Sequence, residues 1–596
     1  MINSLHSHAT DAASTTTETA VRDAAETNKS LARWLKNEKI LLLILIALTV
    51  ITWLPRLKGP IDLRWDGGVY YILGTALAEG KGYKLLNEPG EIEAVQYPPL
   101  LPAIIAGYQL VLGTDDPTTV GQWLRFSAFI IFIVYICVTY RFFKNHLSSR
   151  YAFLATLLCL FSLHVYFLSD LLFPEIPFSL VTVLFVLCHR KEDKSRVYSV
   201  LTYLFAVASF ALRTVGMAAF AAWVLESLVR SRFKQAALRA VLVLIPILCW
   251  QFYIASVESS YAYNHPAYAY QRAPYMFYNV TYARNISLRD PFTPEKGVTS
   301  PAKIVRRVVR NATYIPLNIA EALSTSRGYW ESWWRLLLGE ATIIQFIISW
   351  SIFLILYVFG FFVLGGLALQ LLRRQRIVPL YGSIYLAALC LTPFPQQYLR
   401  YLMPVVPFLV LSLIVFLSAA RDASHRFLPS QWTNFGTYFT VATLSIALLA
   451  EILCFITNYT QYHERIAYLD RQHQPVEYRL FFYNKSYQAF DASVSYVRQQ
   501  AKPDDVVAAG LPHWVYLRTG LKTVMPPFEK DAVTAQQLLD SVPVSYLIIC
   551  QDVIGSERYT LPVVRQFTDQ WRQIYSTPEG DCAVYQRANR QRVADQ

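Results

Sequence analysis

Charge is scarce in this sequence. Asp, Glu, Lys and Arg make up 16% of its 596 residues, against 54% hydrophobic and 15% aromatic. The mean hydropathy is +0.30. A soluble protein of this length needs more polar surface, and the apolar residues come in long blocks, so the class is a polytopic α-helical membrane protein. Metal-binding patterns are missing. No Cys-x-x-Cys or His-Glu-x-x-His run occurs and the ten histidines are dispersed, so no built-in zinc site is expected. Internal repeats are missing too, and with them the usual mark of a transporter. Residues 1–32 lack the layout of a cleavable signal, because the first apolar block starts only near Ile40. Rich in Ala, Thr and Ser, they are expected to form a disordered cytoplasmic N-terminus.

What charge there is has a sign and a place. The net charge is +13. The Lys and Arg residues sit in short loops between apolar blocks, which points to membrane orientation and anionic lipid, with no nucleic acid as partner. Arg33, Lys36 and Lys39 precede Ile40 to Leu54 and put the N-terminus inside. The stretch Leu100 to Leu112 is too short for a span and carries Pro102, Gly107 and Gln109. If it does not cross, the next block, Trp123 to Tyr140, runs from outside to inside. Every later basic loop then lies inside: Arg141 to Arg150, Arg190 to Arg196, Arg230 to Lys234, Arg373 to Arg376, and Arg421 with Arg426. This register predicts about eleven transmembrane helices over 33–457 and a C-terminus outside. External loops are expected at 58–120 and 256–340, with an extracytoplasmic domain at 458–596.

In that last segment, strands at Val506 to Ala509, Thr523 to Met525 and Val544 to Cys550 alternate with helices at Ala492 to Gln500, Trp514 to Leu517 and Ala532 to Ser541. The alternation predicts an α/β unit with a parallel sheet. No Gly-x-Gly-x-x-Gly or Walker pattern accompanies it, so no nucleotide site is assigned. Six of the eight cysteines lie in apolar runs. Cys550 and Cys582 fit either a disulfide or two buried thiols. Sequons at Asn279, Asn285, Asn311, Asn458 and Asn484 fall on the outer side, though so short a motif recurs by chance.

The outer side also collects the residues with chemistry. Asp66 follows Trp65 and precedes Gly67-Gly68-Val69-Tyr70-Tyr71. It reads either as the N-cap of an amphipathic helix lying on the membrane or as a carboxylate held at the boundary for catalysis. Trp65, Tyr70 and Tyr71 offer flat faces with polar edges, suited to a sugar ring or to the interface. Asp170 reads as a solvated loop acid or a functional one. Glu175, between Pro174 and Pro177, complements a helix dipole or contacts substrate or metal. Arg125, Arg213 and Arg400 sit at span ends, where an arginine either snorkels or binds lipid phosphate bidentately. The tyrosines from Tyr261 to Tyr278 line a loop suited to packing or to an acceptor.

Taken in order, these features form a familiar series: Asp66 in the first external loop, Gly82-Tyr83, Tyr97-Pro98-Pro99-Leu100-Leu101-Pro102, and Arg125. Asp170-Leu171-Leu172-Phe173-Pro174-Glu175 and Arg400-Tyr401-Leu402-Met403-Pro404 complete it. Over roughly residues 35–420 the chain resembles the GT-C glycosyltransferases, in particular protein O-mannosyltransferases and lipid A aminoarabinose transferases. It departs from the mannosyltransferases at Gly67, where they carry a second acid after the aspartate, which favours a divergent bacterial-type branch in a plasma membrane. The resemblance implies transfer of a hexosyl or pentosyl group from a polyprenyl-phosphate donor to a lipid, glycan or protein acceptor, with inversion. It implies Asp66 as the base. Arg400, Tyr401, Glu175, Asp170, Arg213, Arg125, Tyr70 and Tyr97 would contact substrate, and a divalent metal is left open. The competing readings are a polysaccharide polymerase or ligase and a lipid-linked sugar flippase.

Overall fold

The structure is a computed structural model. It describes residues 37–338, 342–373, 376–427, 429, 434–462, 464–469, 474–481, 483–551 and 553–588. The expected disordered stretch 1–32 lies outside them. Six helices are long and apolar enough to cross a membrane: Glu38–Arg56, Pro117–Lys144, Phe233–Glu258, Ile343–Leu372, Pro395–Phe427 and Phe435–Thr460. A bent apolar pair, Ser149–Phe161 followed by Leu163–Ser169 at 62°, has the form of a broken span or a re-entrant loop. Five shorter apolar helices, Leu100–Leu112, Glu175–His189, Arg196–Leu212, Thr214–Val229 and Ile377–Leu389, accompany them. The protein is an integral, multi-pass membrane protein.

Four elements converge at one end of these helices. Helix α1 is Asp66–Ala78, α2 is Leu100–Leu112, α3 is Glu175–His189, and α4 is the short Tyr398–Leu402 before the Val406–Phe427 helix. The α1 segment is not an amphipathic helix lying on a membrane. Gly67 through Ala76 are all buried. One side is covered by α2, where Gly74 faces Ile105 and the Gln109 amide donates to Thr75 at 2.9 Å. Apolar residues at consecutive positions of α1 are therefore core on every side, a signature of a buried helix. The opposite side of α2 leaves Leu110 and Val111 exposed, as suits a helix that flanks the bilayer without crossing it.

The C-terminal domain begins with a hairpin, β1 (Glu464–Leu469) and β2 (Pro475–Leu480). Its main sheet has the order β4-β3-β5-β7-β6, with β3 Val506–Ala509, β4 Lys522–Val524, β5 Val544–Cys550, β6 Trp571–Ser576 and β7 Cys582–Arg587. The first three strands are parallel, as the alternation predicts, but β7 and β6 pair antiparallel. The sheet is mixed because the last two strands are joined by a tight turn, which needs no crossover helix. Cys550 and Cys582 face each other across β5 and β7 and form a disulfide.

This domain is fused to the membrane domain along one face. The edge strand β4 is covered by the loop between α1 and α2: the Thr523 amide donates to the Asn87 carbonyl at 2.8 Å, and Lys522 pairs with Glu91. Covering an edge in this way removes a template for unwanted pairing. Most tyrosines of the 256–300 loop pack rather than face a ligand. Tyr268 donates to the buried Glu88, Tyr270 to the Met525 carbonyl, and Tyr275 stacks on Phe528. Four of the five sequon asparagines, Asn279, Asn285, Asn311 and Asn458, are buried and hydrogen-bonded, so those sequons are coincidental.

Candidate active site

Local backbone geometry sets the direction of Asp66. Trp65 has φ 56° and ψ −131°, a conformation that bulky residues rarely adopt. The chain turns sharply there and starts α1 at Asp66 itself. Asp66 is consequently not the N-cap, and no side chain caps this helix. Its carboxylate faces away and accepts from Arg400 Nη2 at 2.6 Å. The two glycines after it are there for close approach. A Cβ at Gly67 would lie 3.2 Å from the Asp62 carbonyl oxygen, and one at Gly68 would lie 3.0 Å from both the Leu63 carbonyl oxygen and the Cβ of His513. A second acid at position 67 would press its Cβ on the Asp62 carbonyl and Leu172, so a side chain there needs its neighbours to give by a few tenths of an ångström.

Arg400 is the hub. It stands on α4 and presents three edges. Nη2 meets Asp66, Nε meets Glu175 Oε1 at 2.6 Å, and Nη1 meets Gln397 at 3.2 Å. The guanidinium plane lies over the Phe173 ring, 4.2 Å from its centroid. Glu175 opens α3, where the helix dipole favours a carboxylate. Its Oε1 also accepts from Arg213 Nη1 at 2.8 Å, while Oε2 is buried without a partner among the described residues. Arg213 in turn lies over Tyr401. Two carboxylates and two guanidiniums thus alternate in one chain. Asp66, Arg400 and Arg213 each keep some exposure, and Glu175 has none.

An aromatic wall stands beside this chain. Tyr70 and Tyr97 pack with ring centroids 4.8 Å apart. Burial pushes the hydroxyls of Tyr70, Tyr97 and Tyr278 well above the usual phenol range, and the Asp66 charge adds to it. All three hydroxyls are therefore neutral at physiological pH, within electrostatic reach of the carboxylate. The structure brings together Asp66, Glu175, Arg213, Arg400, Tyr401, Tyr70 and Tyr97 from the expected set.

Asp170 and Arg125 stand apart as a correction. They lie in a second, sealed cluster. Arg125 binds Asp170 through Nε and Nη2, at 3.1 and 2.9 Å, and spends Nη1 on the Lys58 and Pro60 carbonyls. Arg56 approaches Asp170 from the other side, with its plane over Phe481. With both residues almost wholly buried and their bonding capacity used, the pair is neither solvated nor available to a lipid phosphate. Its role is to fix the loop before Asp66, whose Asp62 carbonyl accepts from the Leu172 amide.

The C-terminal domain reaches the same place, which the sequence did not reveal. The Trp65 indole donates to the Tyr487 hydroxyl at 3.1 Å, and Arg64 donates to the Phe481 carbonyl at 3.0 Å. Arg64 also pairs with Asp62 at 2.6 Å. The strained turn before Asp66 is clamped from outside the membrane domain. His513 lies over Gly68 and meets the Tyr278 ring edge to face, 4.6 Å between centroids. Among the described residues no group of three or more His, Cys, Asp or Glu side chains converges as a metal site would require, and the guanidinium of Arg400 occupies the space between Asp66 and Glu175.

No family model matches the sequence, and no curated protein matches it. Solved structures do resemble it in outline. The oligosaccharyltransferase of Archaeoglobus fulgidus is 12% identical, with 92% of this chain and 73% of that one covered and a TM-score of 0.49. ArnT from Cupriavidus metallidurans bound to undecaprenyl phosphate is 12% identical, with 91% and 97% covered and a TM-score of 0.48. The mycobacterial arabinofuranosyltransferase AftD is 11% identical, with 92% and 40% covered and a TM-score of 0.41.

Proposed function

We propose that this chain is a membrane glycosyltransferase that moves a sugar from a polyprenyl-phosphate donor to an acceptor hydroxyl on the extracytoplasmic side, with inversion. The observation that carries the reading is the alternating chain Asp66–Arg400–Glu175–Arg213 at the boundary of the spans. A lipid-linked anion can be reached there from the bilayer, and an acceptor from the aqueous side. The basic loops lie at the opposite ends of the same helices, so the N-terminus is cytoplasmic and the C-terminal domain outside. A bacterial plasma membrane fits this arrangement and the resemblance of the motifs.

The chemistry is set by the groups present. The acceptor hydroxyl gives its proton to the Asp66 carboxylate as its oxygen bonds to the anomeric carbon. The bond from that carbon to the phosphate oxygen breaks, and the electron pair leaves with the polyprenyl phosphate. Sugar charge of oxocarbenium type develops between the two, and single displacement inverts the centre. Arg400 and Arg213 stabilise the charge gained by the leaving phosphate. Glu175 holds both guanidiniums through one oxygen, so their donors are set before the substrate arrives. Without donor, the Asp66 carboxylate is engaged by Arg400 Nη2. A phosphate oxygen that takes Arg400 Nη2 frees the carboxylate, so the base is armed only when the donor is in place. Tyr70, Tyr97 and Tyr401 give the sugar flat faces with polar edges.

Purified protein in nanodiscs, given a radiolabelled polyprenyl-phosphate sugar and a membrane extract, tests this reading. Label is expected in an acceptor, with the opposite anomeric configuration to the donor. Label that stays on intact donor across the sugars tried, or retention of configuration, defeats it.

A further inference from the structure

The C-terminal domain places one chemically capable side chain over the start of α1 and leaves it unemployed. His513 is the second residue of the helix Pro512–Thr519, here α5. Everything around it is tied down. The Pro512 carbonyl accepts from the Thr523 hydroxyl at 2.8 Å, and the Trp514 indole donates to Asp491 at 2.7 Å. Gly520, at φ 76°, closes the helix. The imidazole itself is 3% exposed, and its Nε2 is buried without a hydrogen-bond partner among the described residues.

A buried polar atom without a partner is uncommon in native proteins and costs about 1–3 kcal/mol when nothing satisfies it. Structural histidines are normally held by a carbonyl or a carboxylate, and here neither contacts Nε2. The position of the ring accounts for this. It sits one residue's width from Gly68, two residues after Asp66, and its other neighbour is Tyr278, whose hydroxyl feels the charges of Asp66 and Arg400. Burial drives the imidazole pKa down to about 3, so the ring stays neutral and offers one N–H and one lone pair.

We propose that His513 is the acceptor-binding residue contributed by the C-terminal domain: its imidazole takes a hydrogen bond with a hydroxyl of a polyhydroxylated acceptor, on the C-terminal-domain side of the helix that begins at Asp66. This rests on the glycosyl-transfer reading and adds to it the side from which the acceptor is held. The acceptor class is one that presents at least two neighbouring hydroxyls, one for Asp66 and one for His513, as a sugar does. The lipid donor, by contrast, is held from the membrane side by Arg400 and Arg213. The two substrates then meet at a seam between domains, a common location for such sites.

The test uses the full-length protein in nanodiscs, a radiolabelled polyprenyl-phosphate sugar as donor, and serial dilutions of one membrane extract as acceptor. Release of free sugar to water, without extract, reports on the donor half alone. His513→Ala is expected to raise the apparent KM for extract about 10-fold, the size of one lost hydrogen bond, while the rate of release to water and the donor KM stay at the wild-type value. His513→Gln, which keeps a donor and an acceptor, is expected to recover part of the loss. An unchanged extract KM in His513→Ala overturns the proposal. So does a parallel fall in transfer and in release to water, because that is the mark of a structural residue. A wild type that leaves the donor intact in both assays overturns the glycosyl-transfer reading as well, which separates the two failures.

Discussion

Two clusters of arginine and carboxylate lie within one stretch of this protein, and they have different uses. In the first, Arg56 and Arg125 enclose Asp170, with side-chain exposures of 0%, 1% and 3%. In the second, Arg400 and Arg213 alternate with Asp66 and Glu175, and the first three keep 19%, 17% and 14%. In the sealed cluster Arg125 also draws on the Lys58 and Pro60 carbonyls, while Arg56 keeps Nε and Nη1 buried without a partner among the described residues. The open one leaves a carboxylate oxygen of Glu175 unpartnered among the described residues and has Asp66 bound by a single arginine edge. The same residue types therefore give a fastener where water and ligand are excluded, and a candidate reaction centre where they are not. Charge at a span end does not by itself say which.

Each prediction bears on that contrast. The largest effect is expected for Asp170→Asn, which leaves two buried guanidiniums without their counter-charge. Breaking such a group costs about 3–5 kcal/mol, read as a clear fall in melting temperature and in yield of folded protein. A variant that melts with wild type would show the sealed cluster to be dispensable. Next comes Arg400→Gln, expected to slow transfer by about 10²–10³-fold by removing a donor aimed at the leaving phosphate, with a smaller loss of stability than Asp170→Asn. If its stability falls as far as that of Asp170→Asn while turnover per folded molecule is kept, the two clusters are alike and the contrast is lost.

Smaller effects are expected in the domain that clamps the site. Cys550→Ala/Cys582→Ala removes a cross-link between paired strands and is expected to cost about 2–4 kcal/mol, measured by denaturant unfolding of that domain's signal. Acid weakens the same region. The His513 pKa falls from its usual value to about 3 in the folded protein, so the unfolded chain binds the extra proton. Stability from this group is complete above about pH 6.5 and is lost as pH falls towards 3, with a slope of up to about 1.4 kcal/mol per pH unit. His513→Gln is expected to flatten that slope, and an unchanged slope would place the acid sensitivity elsewhere.

The parts of this architecture legible in the sequence are those that stand out against an apolar background. Asp66, Glu175, Arg213 and Arg400 are polar residues at the ends of greasy helices, where each is costly without a partner, so each could be singled out residue by residue. Their mutual pairing could not, because Arg400 is 334 residues from Asp66 and 225 from Glu175 along the chain. Asp170 and Arg125 gave the same signal for a different reason, and Arg56, which completes their cluster, sat unnoticed at the end of the first span. The α1 helix read as amphipathic because local pattern shows the apolar face but not the domain that covers the other one. Tyr487 and His513 carry no sign of function in their own neighbourhood. They are ordinary residues of a small α/β domain until that domain docks on Trp65 and Gly68. The antiparallel pair β6 and β7 escaped notice because Trp571–Ser576 is mostly exposed and lacks a buried alternation.

In the proposed reaction Asp66 is the base, and the donor phosphate draws Arg400 away from it. Donor binding and turnover, measured side by side in wild type and Asp66→Asn, address both halves at once. The account predicts that Asp66→Asn loses transfer by about 10²–10⁴-fold while it binds the polyprenyl-phosphate sugar at least as tightly as wild type, since Arg400 no longer has a competing carboxylate. Wild-type turnover in Asp66→Asn, or donor binding that falls together with transfer, would contradict it.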